Sequence, residues 1–460
     1  MNEETSVSPS QTRGIFDGPV IPVTLRLAAP LFIGMSFQLV YNFVDTFFVT
    51  YIDRSSTAIF SGVSLVFPVF FIVMSLAQCI TVGVSSLVAR AIGERNQEVL
   101  ERTADSGFLL AVIMAVLALV GGYVWATPIL NLLGAQGEVL SYARSYYLWI
   151  LPGMGLVFIG TLFTGIIQGE GLTRPVMTSM IISTLINIAL DPLFIFGLKM
   201  GVSGAALATV IAHTIGRLYI IVLFIRKRTR TPIYWSFRRA RISIIKEIFR
   251  VGFPQSISMM AMAVSFMFFN RLVLAIGQVE FNAFALARRL DQIILTPIFA
   301  VASATITMVG QNYGRGNLAR VKRIFIRNIS LTAGTVLFIS VFYVVFSPVL
   351  FKLFTDQQQV VYYASWQVRI VAFSFIGAVV GIISRATFQG TGSPLPAFIL
   401  TIIRMGLVSV PLGFILVKFF GFGIYGIWYA IVIGNTVSAI LSFIWVSLHV
   451  RSLKPGERLS

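Results

Sequence analysis

Gln38-Leu39-Val40-Tyr41-Asn42-Phe43-Val44-Asp45 sets a carboxylate inside an apolar run, and the way this stretch is read decides the fold. Between residues 25 and 50 the only charged groups are Asp45 and, at the edge, Arg26. About 20 apolar residues suffice to cross the hydrocarbon core of a bilayer. Asp45 therefore has no water unless the protein supplies it. A charged side chain at that depth costs at least about 2.5 kcal/mol on insertion scales, so it faces a bundle interior or an ion pathway. Gln38, Tyr41, Asn42 and Asp45 are spaced three, four and seven apart and fall on one side of a helix, opposite Phe and Val. Gluing two helices together needs only hydroxyls or amides; an ionisable acid among them points to ion handling.

The whole chain agrees with a membrane setting. Of its 460 residues 57% are hydrophobic and 11% charged, with a mean hydropathy of +0.88, which is the composition of an all-α polytopic membrane protein. A net charge of +18 would suit a nucleic-acid binder, but Lys and Arg concentrate in the two tails and in alternate loops. That is the positive-inside pattern, so the expectation is a multi-pass plasma-membrane protein with both termini in the cytoplasm and no nucleic-acid partner. Cys79 is the only cysteine, which excludes an intrachain disulfide or a thiolate metal cage. Nothing matches the Gly-x-x-x-x-Gly-Lys-Ser/Thr phosphate loop, so direct ATP drive is not expected. No enzymatic constellation and no cofactor are expected either.

Apolar segments predict twelve membrane helices, near 25–50, 57–86, 104–125, 141–167, 175–197, 203–225, 252–276, 281–309, 328–350, 362–388, 396–418 and 424–448. Residues 1–22 read as a polar cytoplasmic tail rather than a signal peptide. Residues 23–225 form an amino-terminal lobe of six helices, and 226–250 a basic cytoplasmic linker suited to topogenic charge or anionic lipid. Residues 251–450 form a carboxy-terminal lobe of six, and 451–460 a second tail. The halves repeat each other. Gln168-Gly169-Glu170-Gly171 recurs as Gln389-Gly390-Thr391-Gly392, Gly93, Arg95 and Asn96 recur as Gly314, Gly316 and Asn317, and Gly201-Val202-Ser203-Gly204 recurs as Gly423-Ile424-Tyr425-Gly426. Each half has an even number of helices, so the copies share one orientation, as in transporters that rock two lobes around a site.

Six plus six helices, Gln38-x-x-Tyr41-Asn42-x-x-Asp45, Asn187-x-x-x-Asp191-Pro192 and the paired Gln-Gly-x-Gly turns resemble the multidrug and toxic compound extrusion (MATE) transporters, most of all their archaeal and DinF-like branch. The resemblance covers nearly all the chain after residue 22. It implies a V-shaped pair of six-helix lobes and cation-driven export of amphipathic, often cationic, small-molecule drugs, with proton or sodium ion as the coupling ion. It also implies a cation or proton site at Asp45, Asn187, Asp191 and Thr209, which would be the metal site if the ion is Na+, with Gln38 and Tyr41 in the same cavity. One departure is Thr164, where the archaeal relatives tend to carry Asn, so the hydroxyl stays and the amide is lost.

From the residues themselves, Asn187 and Asp191 share a face of the fifth helix, and Pro192 withdraws the hydrogen bond to the Ile188 carbonyl. Two acids from different helices and an amide oxygen suit a hard cation or a shared proton. Thr209 alone is a weak signal, because a membrane-helix threonine often bonds its own backbone. Basic residues within the second lobe and Arg217 in the first read as snorkelling side chains. Asp291 lies deeper and reads either as a structural ion pair with those arginines or as part of the drug cavity or a second coupling site. His213, a lone imidazole in the sixth helix, reads as a hydrogen-bonded packing residue ahead of a proton relay. The alternative function is a flippase for lipid-linked oligosaccharides or another lipid headgroup, whose phosphates the second-lobe arginines would suit. Membrane lipids are the other expected partners, and a two-lobed carrier needs no second chain, so a monomer is expected.

Overall fold

The computed structural model describes residues 14–50 and 57–453, without the side chains at 42, 43, 45–50 and 57–61. Among the described residues it is all helical, with twelve helices long and apolar enough to cross a membrane. They are α1 (Val20–Thr50), α2 (Thr57–Glu94), α3 (Gln97–Val124), α4 (Gly137–Glu170), α5 (Thr173–Gly197), α6 (Gly201–Ile225), α7 (Ile242–Leu274), α8 (Gln278–Gly314), α9 (Leu318–Lys352), α10 (Gln358–Gly390), α11 (Leu395–Lys418) and α12 (Gly423–Ser452). In hydrocarbon every backbone polar group must bond internally, which leaves the helix as the only open-chain solution.

Several helices start earlier than hydropathy predicts, because a helix does not stop where its apolar part does. α3 and α9 begin with a polar turn on matching caps: Asn96 Oδ1 accepts from the Val99 amide at 3.0 Å, and Asn317 Oδ1 from the Arg320 amide at 3.1 Å. α7 begins at Ile242, so only the first part of the basic 226–250 stretch is a linker and the rest is helix.

That linker is strapped down rather than free. Glu170, fully buried at the end of α4, accepts from the backbone amides of Arg230 (3.0 Å) and Thr231 (2.7 Å). Asp105 of α3 accepts from the Tyr234 amide at 3.2 Å, and Ser106 from the Arg241 amide at 2.9 Å.

The chain forms two compact units, the first of Ala29–Phe253 and the second of Gly14–Ala28 together with the chain from Pro254 onward. The start of α1 thus packs in the second unit: Arg320 of α9 donates to the carbonyls of Gly14, Ile15 and Gly18, and Thr24 donates to Asn328 Oδ1 at 2.7 Å. The start of α7 packs in the first: Glu247 pairs with Arg90 of α2 at 3.1 Å, and Gly252 lies against the Cys79 carbonyl so closely that a Cβ would collide. A proline stands at each crossing, Pro30 in α1 and Pro254 in α7.

Within each unit the repeated Gln-Gly-x-Gly element does the same two jobs. Its first glycine lets two long helices touch: a Cβ at Gly169 would lie 2.7 Å from the Ser85 carbonyl of α2, and one at Gly390 2.8 Å from Val309 of α8. Its last glycine ends α4 and α10 in the left-handed region, at φ +84 for Gly171 and +77 for Gly392.

Candidate functional site

α1, α2, α4, α5 and α6 of the first unit enclose a cavity of about 560 Å³. Phe70, Met74, Val157 and Met180 supply apolar wall, and Gln38, Tyr41, Gln78, Thr164, Thr209, His213 and Arg217 supply the polar groups. A few convergent polar groups in an apolar hollow of this size suit a drug-sized ligand.

One polar chain leads from the cavity wall to a buried acid. The Tyr41 hydroxyl lies 3.3 Å from that of Thr209, and Asn187 Nδ2 donates to Thr209 Oγ1 (3.4 Å) and to Asp191 Oδ1 (3.2 Å). Tyr41 and Thr209 face the cavity, while Asn187 and Asp191, 1% and 0% exposed, lie behind them. Local sequence explains the geometry. Asn187 and Asp191 stack one turn apart on α5, and after Pro192 the helix widens to π geometry over Leu193–Gly197. Proline cannot complete the i→i−4 ladder, and such widened turns recur at functional sites. Asn187 Oδ1 has no hydrogen-bond partner among the described residues, so a buried oxygen beside the carboxylate is left to accept. The donor set is hard oxygen throughout, which suits a proton or an alkali cation.

The structure therefore brings together Tyr41, Asn187, Asp191 and Thr209, with Gln38 and Thr164 on the same cavity. The Thr209 hydroxyl is spent on tertiary partners, whereas Thr164 bonds its own helix at the Gly160 carbonyl, 2.9 Å away. α1 is helical through Asn42 and Asp45, whose side chains lie outside the described residues. Asp291 belongs to the second unit and does not line this cavity. Among the described residues no Lys or Arg lies within 4.0 Å of it; Arg288 instead lies 3.8 Å over the Phe266 ring and donates to Asn270.

Sequence reading missed two cavity residues. His213 sits edge-on to Tyr41, with ring centroids 6.0 Å apart, and Arg217 lines the cavity rather than snorkelling. The signal was in the spacing, since Thr209, His213 and Arg217 recur every four residues and so share a face of α6.

The MatE family profile matches residues 30–193 and again 254–415, once in each half. The chain belongs to the MATE family. Among MATE relatives, the probable multidrug resistance protein NorM of Thermotoga maritima is 27% identical over 454 residues, covering 95% of this chain and 94% of that one. The multidrug export protein MepA of Staphylococcus saprophyticus is 25% identical, with 92% and 93% covered. Among solved structures, an outward-facing MATE multidrug resistance transporter of the MOP superfamily is 30% identical with a TM-score of 0.88, covering 93% of this chain and 95% of that one. A MATE in its straight conformation gives 30% and 0.90, with 95% and 98% covered. MATE membership makes this chain a multi-pass transporter and not an enzyme.

Proposed function

We propose that this MATE protein is a secondary active multidrug exporter of the archaeal and DinF-like branch, which exchanges amphipathic, cation-bearing compounds for sodium ions or protons. The coupling ion binds at Asp45, Asn187, Asp191 and Thr209, and the cargo occupies the adjoining cavity with Gln38, Tyr41 and Thr164 on its wall. The observation that carries this reading is the continuous link from the buried Asp191 carboxylate through Asn187 and Thr209 to Tyr41 on the cavity wall.

The link supplies a physical route for exchange. An ion shifts a conformational equilibrium only by binding its states with different affinity. An ionised carboxylate removed from water is stabilised chiefly by charge and hydrogen bonds, so a proton or cation at Asp191 changes what Asn187 donates to. A redirected Asn187 amide alters the Thr209 and Tyr41 hydroxyls, which is how the cavity senses the ion. Asp45, four residues beyond Tyr41 on α1, supplies the second acid.

Both termini lie on the cytoplasmic side in this reading, on the strength of the basic tails and loops, and the monomer transports. The relatives named as multidrug proteins and the acid site favour the exporter over a lipid-headgroup flippase. The test is efflux of a cationic dye from proteoliposomes under a sodium gradient or a pH gradient imposed separately. One gradient drives wild type, and Asp45→Asn and Asp191→Asn abolish the coupling; gradient-driven efflux intact in both variants ends the proposal.

A further inference from the structure

We propose that the first unit's cavity receives an oxyanion, a carboxylate or phosphate carried by an amphipathic ligand, on the guanidinium of Arg217. This deepens the export reading above and rests on it for the cavity's role as a cargo site.

Arg217 lines the cavity, and its Nη1 is buried without a hydrogen-bond partner. Among the described residues no carboxylate lies within 4.0 Å of it. A guanidinium that lines an apolar-walled cavity with one nitrogen buried and no counter-charge beside it favours an anionic group arriving there. The arm is also placed. It lies across Gly160 of α4, where a Cβ would collide with its Cδ and Nε, so the absent side chain at 160 makes the channel along which the guanidinium reaches the cavity.

The chemistry of the head group selects the ligand. A guanidinium presents a planar fork that matches a carboxylate or phosphate in two parallel hydrogen bonds. Arg217 is eight residues beyond Thr209 on the same helix face, or about 12 Å along the axis. The cavity is therefore polarised, with the Asp191 network at one end, the guanidinium at the other and apolar wall between. A purely cationic cargo gains nothing at the Arg217 end; an amphipath with an oxyanion satisfies it.

Rhodamine B and rhodamine B ethyl ester differ only in whether the carboxylate is free, which makes them the probes. Their binding to the full-length protein in phosphatidylcholine nanodiscs is measured by fluorescence anisotropy. A charged hydrogen bond is worth about tenfold or more in affinity, so wild type is expected to prefer the acid over the ester by that factor. Arg217→Gln removes the preference and Arg217→Lys keeps part of it. Gly160→Ala, which retains the charge but displaces the arm, reduces it as well and carries the test if Arg217→Gln fails to fold. Equal loss of both dyes in Arg217→Gln, or no preference in wild type, overturns the oxyanion site even if the ester is still exported under an ion gradient.

The source of the oxyanion is read by adding dioleoylphosphatidylglycerol to the nanodiscs. Competition with rhodamine B in wild type but not in Arg217→Gln identifies a lipid phosphate as an occupant; no competition, with the dye preference intact, identifies the cargo's own carboxylate. Wild type that binds neither dye but binds the anionic lipid through Arg217 keeps the oxyanion site and removes the drug-export reading. Binding of neither dye nor lipid removes both.

Discussion

Thr209 joins the cavity to the acid, and its hydroxyl contributes through partners rather than through charge. Thr209→Val keeps the shape and removes both bonds, each worth about 1 kcal/mol, so the apparent affinity for the coupling ion should fall by up to about thirtyfold. The ion-concentration dependence of dye efflux measures this. Tyr41→Phe, which removes one of the two bonds, should move the same quantity less, and the double variant should fall short of the sum because the two hydroxyls share a bond. Glu170 tests a different role. Its carboxylate accepts two linker amides while fully buried, and hydrogen bonds to charged groups are worth about 1.5–3 kcal/mol each. Glu170→Ala should therefore lower the melting temperature clearly. The lone, buried Cys79 gives a convenient readout, since a thiol-reactive fluorophore labels it only as the first unit opens. An unchanged melting curve would show that the strap contributes nothing.

At the scale of the elements, α1 and α7 are the helices that pass from one unit to the other, each at a proline. A proline inside a helix removes one hydrogen bond and crowds the carbonyl four residues back, so Pro30 and Pro254 mark the points where each helix bends most easily. Pro30→Ala combined with Pro254→Ala should slow transport while leaving equilibrium dye binding nearly as it was, which paired efflux and binding measurements on one preparation would show. Equal turnover in the double variant would place the moving parts elsewhere. The repeated glycine turns are stabilising elements instead. Gly171→Ala and Gly392→Ala force a side chain into the left-handed region, at about 1 kcal/mol each. Gly169→Ala should cost more, because its Cβ would meet backbone at Ser85. The helices were legible in sequence because hydropathy reports the membrane-crossing part of each. Their starts were not, because capped polar turns such as Asn96 and Asn317 extend a helix without adding apolar residues.

For the whole molecule, the basic residues predict that both ends of the chain stay on the cytoplasmic side, and reporter fusions at either terminus should be active only there. The two gradients applied separately in proteoliposomes should give transport under one and not the other, which names the coupling ion. That identity is not written in the donor set, since carboxylate, amide and hydroxyl oxygens serve a proton and an alkali cation alike.

The sequence by itself determined the membrane setting, the twelve helices, the internal repeat and the family. Each of these is a matter of composition, period or motif, carried by residues close together or repeated in register. It also singled out Tyr41, Asn187 and Asp191, because a polar face within an apolar helix is unfavourable unless it is used, whereas Thr209 came only from the family resemblance. Only the tertiary structure decided that Thr209 turns from its own backbone to Asn187 and Tyr41, and that the linker is tied to Glu170 and Asp105. It also showed that the starts of α1 and α7 pack in the unit their chain is leaving or has yet to build, and that Arg217 lies across Gly160 into the cavity. Those facts depend on which side chains meet across helices far apart in the chain, and spacing along one helix reports only what shares its face.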